Sequence, residues 1–189
     1  LSRRLARRLS GWLGLADLLV YPSFCELCGC FLERPGEKVI CRDCLDSLRP
    51  DRSPHCPVCG RFYDGAGGPH VCGACLNRTP PFTRHRSYAK YANQAKDVVL
   101  LFKYRGHEPL GRTLAGLLDR ELGREEDLWN GVEAVVPVPL HPRKLRQRGY
   151  NQAAVLARHL AKLRGLPFVG NRLLKTRNNP AQMSLDAAE

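Results

Sequence analysis

Eight of the nine cysteines stand in four Cys-x-x-Cys pairs: Cys25/Cys28, Cys41/Cys44, Cys56/Cys59 and Cys72/Cys75. Thiolate sulfur is a soft donor suited to Zn²⁺, and two intervening residues let both sulfurs of a pair reach one ion from a single turn. The spacing points to two structural zinc sites, Cys25/Cys28/Cys41/Cys44 and Cys56/Cys59/Cys72/Cys75. Four thiolates leave no coordination position for water, so neither zinc is expected to be catalytic. Disulfides are the competing reading. Clustered pairs, with no cysteine after Cys75, fit metal ligation in a reducing cytoplasm better. A redox Cys-x-x-Cys usually stands alone before a helix. Spacing leaves open a cross-braced arrangement joining Cys25/Cys28 to Cys56/Cys59. Cys30, His55 and His70 lie beside ligands and are read as bystanders, because eight cysteines suffice.

The second candidate for chemistry is Val135-Val-Pro-Val-Pro-Leu-His-Pro-Arg-Lys-Leu-Arg-Gln-Arg-Gly-Tyr-Asn-Gln152. Arg143, Lys144, Arg146 and Arg148 follow a strongly apolar run, and Gly149 lets the backbone approach a ligand where a helix begins. Guanidinium groups and free amides at a helix start both favour phosphate. A solvated basic loop is the plain alternative.

These residues need elements to position them. Each cysteine of the first set recurs 31 positions later, so both units read Cys-x2-Cys-x12-Cys-x2-Cys, the signature of a zinc ribbon. Gly29 and Gly60 follow the second cysteine of each unit, where a tight knuckle requires positive φ. The intervening stretches, such as Glu33 to Glu37 and Asp64 to Pro69, are too polar to form a core, so metal must supply stability. Pro80 and Pro81 mark a boundary. Beyond it, Ala95, Val98, Val99 and Phe102 predict one amphipathic helix, and Leu110, Leu114, Leu117, Leu118 and Leu122 a second. Val132 to Leu140 reads as a strand buried on both faces. His141 to Gly149 reads as a polar basic turn, and Ala153, Leu156, Ala157 and Leu160 as a helix stopped by Gly165 and Pro167. Phe168 to Lys175 reads as a short returning strand, so the order suggests a βαβ unit. The expected division is residues 1–23, an N-terminal amphipathic helix; 24–79, the two ribbons; and 80–189, an α/β domain with an unfinished sheet.

The formal charge is +12, and eight thiolates with two Zn²⁺ would lower it by four, leaving the chain basic. From His141 to Glu189 the only acids are Asp186 and Glu189, so this quarter should attract phosphate groups or nucleic acid. Leu1 to Val20 combines Arg3, Arg4, Arg7 and Arg8 with leucines, as a targeting peptide would. Gly11, Gly14 and Asp17 break its apolar stretch, which is too short to span a bilayer. The expectation is a protein that is not transmembrane and is cytoplasmic.

The chain resembles the ComF family, competence-associated proteins with a double zinc ribbon and a phosphoribosyltransferase-like domain. The resemblance is carried by Asp17-Leu-Leu-Val-Tyr-Pro22, the cysteine knuckles, Phe102-Lys-Tyr-Arg-Gly106, Val136-Pro-Val-Pro-Leu-His141 and Arg148-Gly-Tyr-Asn-Gln152. It implies an α/β fold: an N-terminal double zinc ribbon followed by a partial type I phosphoribosyltransferase-like domain. It also implies that Arg148, Gly149, Tyr150 and Asn151 meet the pyrophosphate of phosphoribosyl pyrophosphate (PRPP), with Mg²⁺ as companion ion. Lys175, Arg177 and Gln182 would belong to the flexible segment closing over that site. The family's acidic, Thr/Gly-rich loop for the ribose 5-phosphate has no counterpart. The only acidic run, Glu125-Glu-Asp127, is followed by Leu128-Trp129. The chain as given is therefore expected to lack its domain's C-terminal half and to be inactive in phosphoribosyl transfer.

Three functions follow. The resemblance implies handling of incoming single-stranded DNA in natural competence, with competence-machinery proteins as partners. A phosphoribosyl-transfer enzyme using PRPP is the second, and a non-catalytic zinc-ribbon adaptor for a protein partner is the third. Aromatic platforms for base stacking are sparse, since Tyr88, Tyr91 and Tyr104 also suit a core.

Overall fold

The computed structural model describes residues 23–32, 39–64 and 67–178. The expected N-terminal helix and Gln182 lie outside them. The chain divides into two compact units, Leu1–Val99 and Leu100–Glu189.

The first unit is built from two copies of one small motif. In the first copy, Phe24 and Phe31 form an antiparallel bridge. Between them the knuckle turns through Cys25 N–H to Cys30 O (2.8 Å) and Gly29 N–H to Cys25 O (2.8 Å). After Cys41, a single-turn helix α1 (Arg42–Asp46) carries Cys44 inward. The second copy repeats this 31 residues on. His55 pairs with Phe62, Cys56 N–H reaches Arg61 O (2.9 Å), Gly60 N–H reaches Cys56 O (2.9 Å), and α2 (Gly73–Asn77) follows Cys72. Gly29 and Gly60 have φ of 71° and 67°. The expected positive-φ knuckles are present. At Gly60 a side chain would also strike the backbone, its Cβ falling 2.5 Å from His85 O. The stretch after Pro81 is held to this unit by His85 N–H to Val58 O (2.8 Å), Asp51 N–H to Tyr88 O (2.9 Å) and Tyr88 Oη to Leu48 O (2.7 Å).

Helix α3 (Asn93–Tyr104) starts in the first unit and ends in the second. In the second unit α4 (Leu110–Leu122) packs on α6 (Gln152–Arg164). The buried face consists of Leu110, Ala115, Val155, Ala157, Leu160 and Ala161, with Leu101 and Phe102 of α3 also buried. Gly111 permits the close approach: a Cβ there would lie 2.3 Å from Val155 Cγ1. At the far end Arg164 pairs with the Asp119 carboxylate, donates to Asp119 O (2.9 Å) and stacks on Trp129 at 4.7 Å. Helix α6 stops at Gly165, left-handed at φ 65°.

Two sequence expectations need correction. Val132–Leu140 is not a strand buried on both faces. Val135 makes one parallel bridge, to Phe168, through Val135 N–H to Pro167 O (2.9 Å) and Val169 N–H to Val135 O (3.0 Å). Among the described residues no further strand flanks it, and Val138 is 73% exposed. The fold seen is therefore mostly helical, with one parallel bridge where a sheet was expected. Second, the basic turn is a helix, α5 (Pro142–Arg148). Pro142 suits a first helical turn because that turn's amides lack intrahelical partners. His141 caps it, Nδ1 accepting from Arg143 N–H (3.2 Å), and Gly149 ends it at φ 85°.

Candidate metal centres and basic turn

Each ribbon brings its thiols together from a knuckle and from the start of a short helix. In the second ribbon the sulfurs of Cys56, Cys59, Cys72 and Cys75 lie within 4.8 Å of one another. Those of Cys59 and Cys72 are 3.6 Å apart, and those of Cys28 and Cys41 in the first ribbon 3.7 Å. A tetrahedron with Zn–S bonds of about 2.3 Å has edges of about 3.8 Å, so the spacing fits zinc. Consecutive knuckles share a cluster, as in sequential rather than cross-braced pairing.

Backbone amides prepare the sulfurs for ionisation. Cys41 N–H points at Cys25 Sγ (3.3 Å), and Cys72 N–H at Cys56 Sγ (3.5 Å), the same contact 31 residues later. Burial alone would raise the Cys25 and Cys56 thiols. Amides of Cys28, Cys41 and Leu27 bring Cys25 down to about 6, and those of Cys72, Cys59 and Val58 bring Cys56 down to about 5. Cys28 is lowered chiefly by the Cys30 amide, and Cys72 by the Cys75 amide. The last cysteine of each set moves the other way. Burial and then the neighbouring thiols raise Cys44, and push Cys75 up to about 12. Thiolates this close repel one another, so the set ionises only in part by itself. A dication supplies the missing charge, and the donor set therefore suits Zn²⁺.

The first cluster departs from the expected set in one respect. The four mutually close sulfurs are those of Cys25, Cys28, Cys30 and Cys41. Cys44, 8% exposed, lies beside the same group, its backbone N–H pointing at Cys41 Sγ (3.4 Å). Cys30, read from the sequence as a bystander, is thus inside the cluster. The two histidines are not: His55 packs edge-on against Phe62, and His70 stacks on Tyr63 at 4.2 Å.

In the second unit, α5 places Arg143, Lys144, Arg146 and Arg148 on seven residues, with Arg143 and Arg146 exposed. Arg148 is held in place, Nη1 donating to Gln152 Oε1 (2.8 Å) while the guanidinium lies 5.1 Å from the centre of the Tyr104 ring. Tyr150 Oη donates to Phe102 O, and Gln152 Nε2 reaches Lys103 O (3.4 Å). These carbonyls belong to the last turn of α3, which has no intrahelical donors for them. Tyr150 and Gln152 therefore dock the turn onto the end of that helix. Gln152, 8% exposed, is a positioning residue that the basic pattern did not single out.

Asn151 caps α6, with Oδ1 accepting from Ala153 N–H (3.0 Å) and Nδ2 donating to Val138 O (3.0 Å). An internal acceptor thus takes one amide that the sequence reading offered to an anion. Lys175 and Arg177 are exposed on the segment after Phe168. Among the described residues no helix is long and apolar enough to cross a membrane.

Comparison with known proteins bears first on the cysteine-rich unit. Residues 16–85 match the double zinc ribbon domain family. The chain carries a double zinc ribbon domain. Together with the two cysteine clusters, the double zinc ribbon supports two structural zinc ions. The chain is also similar to Competence protein F of Haemophilus influenzae, 30% identical over 102 residues, which cover 52% of this chain and 44% of that protein. The match thus spans less than half the length of that relative. No solved structure matches the chain. The double zinc ribbon and this relative agree with the ComF resemblance carried by the sequence motifs.

Proposed function

We propose that this is a ComF-like cytoplasmic protein acting in natural competence, in which the double zinc ribbon is structural and the basic helix α5 holds phosphate groups of incoming single-stranded DNA. The observation that carries this reading is the clustering of Arg143, Lys144, Arg146 and Arg148 on one short helix docked to α3. Similarity to a protein named for competence supports the setting. Zinc performs no reaction here, because four thiolates close its coordination shell.

The test is fluorescence anisotropy with a labelled single-stranded oligonucleotide at low and moderate salt. Binding should weaken steeply as salt rises, since contacts to phosphate release counterions. Arg148→Ala should cost about ten- to a hundredfold in affinity, the range for a charge-assisted contact of roughly 1.5–3 kcal/mol. An equal loss with Arg120→Ala, on α4, would indicate diffuse electrostatics and overturn the site.

A second reading has its own support. The parallel bridge of Val135 with Phe168, on either side of α6, is the seed of a βαβ unit and favours a phosphoribosyltransferase-like second domain. In that reading the residues of α5 and the following turn hold pyrophosphate or PRPP, with Mg²⁺ bridging its oxygens. Mg²⁺-dependent calorimetric binding that prefers PRPP to pyrophosphate would favour it over DNA binding. A non-catalytic adaptor would bind none of these ligands.

A further inference from the structure

The two ribbons superpose their hydrogen bonds at an offset of 31 residues, yet their sulfur content differs. Cys30 occupies the position that Arg61 holds in the second ribbon: Cys25 N–H meets Cys30 O at 2.8 Å, and Cys56 N–H meets Arg61 O at 2.9 Å. The first ribbon therefore carries five cysteines where the second carries four. The sulfurs of Cys25, Cys28, Cys30 and Cys41 already lie within 4.8 Å of one another. Cys44 stands next to this group on α1, its backbone N–H pointing at Cys41 Sγ (3.4 Å). Zn²⁺ takes four ligands in structural sites, so only one of Cys30 and Cys44 completes the shell at a time. The buried Cys44 matches Cys75 in the repeat, whereas Cys30 is exposed.

We infer that Cys30 is an alternate fourth ligand of the first zinc site, able to take the place of Cys44. The inference rests on zinc filling the first ribbon. Exchange keeps Cys25, Cys28 and Cys41 as the three shared ligands and swaps only the fourth. The second ribbon has no such reserve, as Arg61 offers no sulfur. The two sites should thus differ in tolerance: the first survives loss of its helix-borne cysteine and the second does not.

The experiment counts metal per full-length chain by elemental analysis and native mass spectrometry, and reads the ligand set from the thiolate charge-transfer bands of the Co²⁺-substituted protein. Wild type and Cys30→Ser should each hold two ions. Cys44→Ser should also hold two, both with four-thiolate spectra, while Cys75→Ser and the Cys30→Ser/Cys44→Ser double variant hold one. If Cys44→Ser drops to one ion, or keeps two with the band intensity of a three-thiolate site, the inference is overturned. Arg61→Cys in the Cys75→Ser background supplies a test independent of Cys44. Restoration of the second ion supports the inference, and failure to restore it counts against the proposed reach of that position. Fewer than two ions in the wild type would instead sink the zinc reading itself.

Discussion

The contact between α4 and α6 is close enough for one methyl group to change its sign from stabilising to destabilising. Gly111 lies on α4 with its α-carbon turned to Val155 and Phe102, which are 5% and 3% exposed. A Cβ at Gly111 would stand 2.3 Å from Val155 Cγ1 and 3.1 Å from Phe102 Cζ. Carbon atoms attract best at about 3.5–4.0 Å, so the overlap with Val155 exceeds about 1 Å. Overpacking of this sort costs roughly 1–3 kcal/mol. Alanine in place of glycine in a helix returns at most about 1 kcal/mol. Gly111→Ala should therefore destabilise the second unit by about 1–2 kcal/mol. Gly116 lies on the same helix with nothing within 4 Å of an added Cβ. Gly116→Ala should accordingly stabilise by up to about 1 kcal/mol. Urea unfolding followed by far-ultraviolet circular dichroism measures both. The Val155→Ala background should relieve the Gly111→Ala penalty, with a coupling of about 0.5–3 kcal/mol. Equal stabilisation by the two glycine substitutions would refute the packing argument.

Gly60→Ala should unfold the second ribbon more readily than Gly29→Ala unfolds the first. Both positions have positive φ, but only Gly60 has backbone, His85 O, 2.5 Å from the added carbon; zinc release to a chelator reads the difference. Cys72→Ser should lose one of two zinc ions and leave the helical second unit folded, as judged by metal content and circular dichroism. Burial, then the Glu108 carboxylate, raises the Tyr150 hydroxyl above its ordinary 10.0. Its contribution is complete below about pH 10 and fades as pH rises through the folded value. Tyr150→Phe should cost about 1 kcal/mol at neutral pH, by leaving Phe102 O without its donor. It should also flatten the alkaline loss of stability above about pH 10; an unchanged slope would place the alkaline sensitivity elsewhere.

What could be read from the sequence was what chemistry imposes locally. Zinc demands sulfur pairs at a fixed spacing and a glycine where the knuckle turns back, so the double ribbon and its glycine knuckles were legible in the sequence. Likewise the leucines of α4 and the Gly165 stop are local signals, and they mark helices that are present. Cys30 escaped because its role depends on three-dimensional proximity around the knuckle: sequence distance sets it beside Cys28, while the fold sets it also beside Cys41. Helix α5 escaped because Pro142 and four basic residues looked like a loop, although His141 caps it. Val132–Leu140 misled in the other direction. Apolar composition announces burial, but burial requires neighbours, and among the described residues Phe168 is the one pairing partner. Tyr150 read as a ligand-loop residue and Gln152 carried no role of its own, because their distance from α3 in the chain hid that they cap its carbonyls.

Two zinc ions in sequential tetrathiolate sites are the claim on which the first unit rests, since its knuckles have little apolar core to hold them otherwise. Native mass spectrometry of the fully reduced, full-length chain tests it most directly, because each bound ion adds the mass of zinc less the protons it displaces. The account predicts one dominant species with two zinc ions, and loss of both, with unfolding of the ribbons, on chelation. A chain that stays folded in its first unit with one ion or none would contradict it.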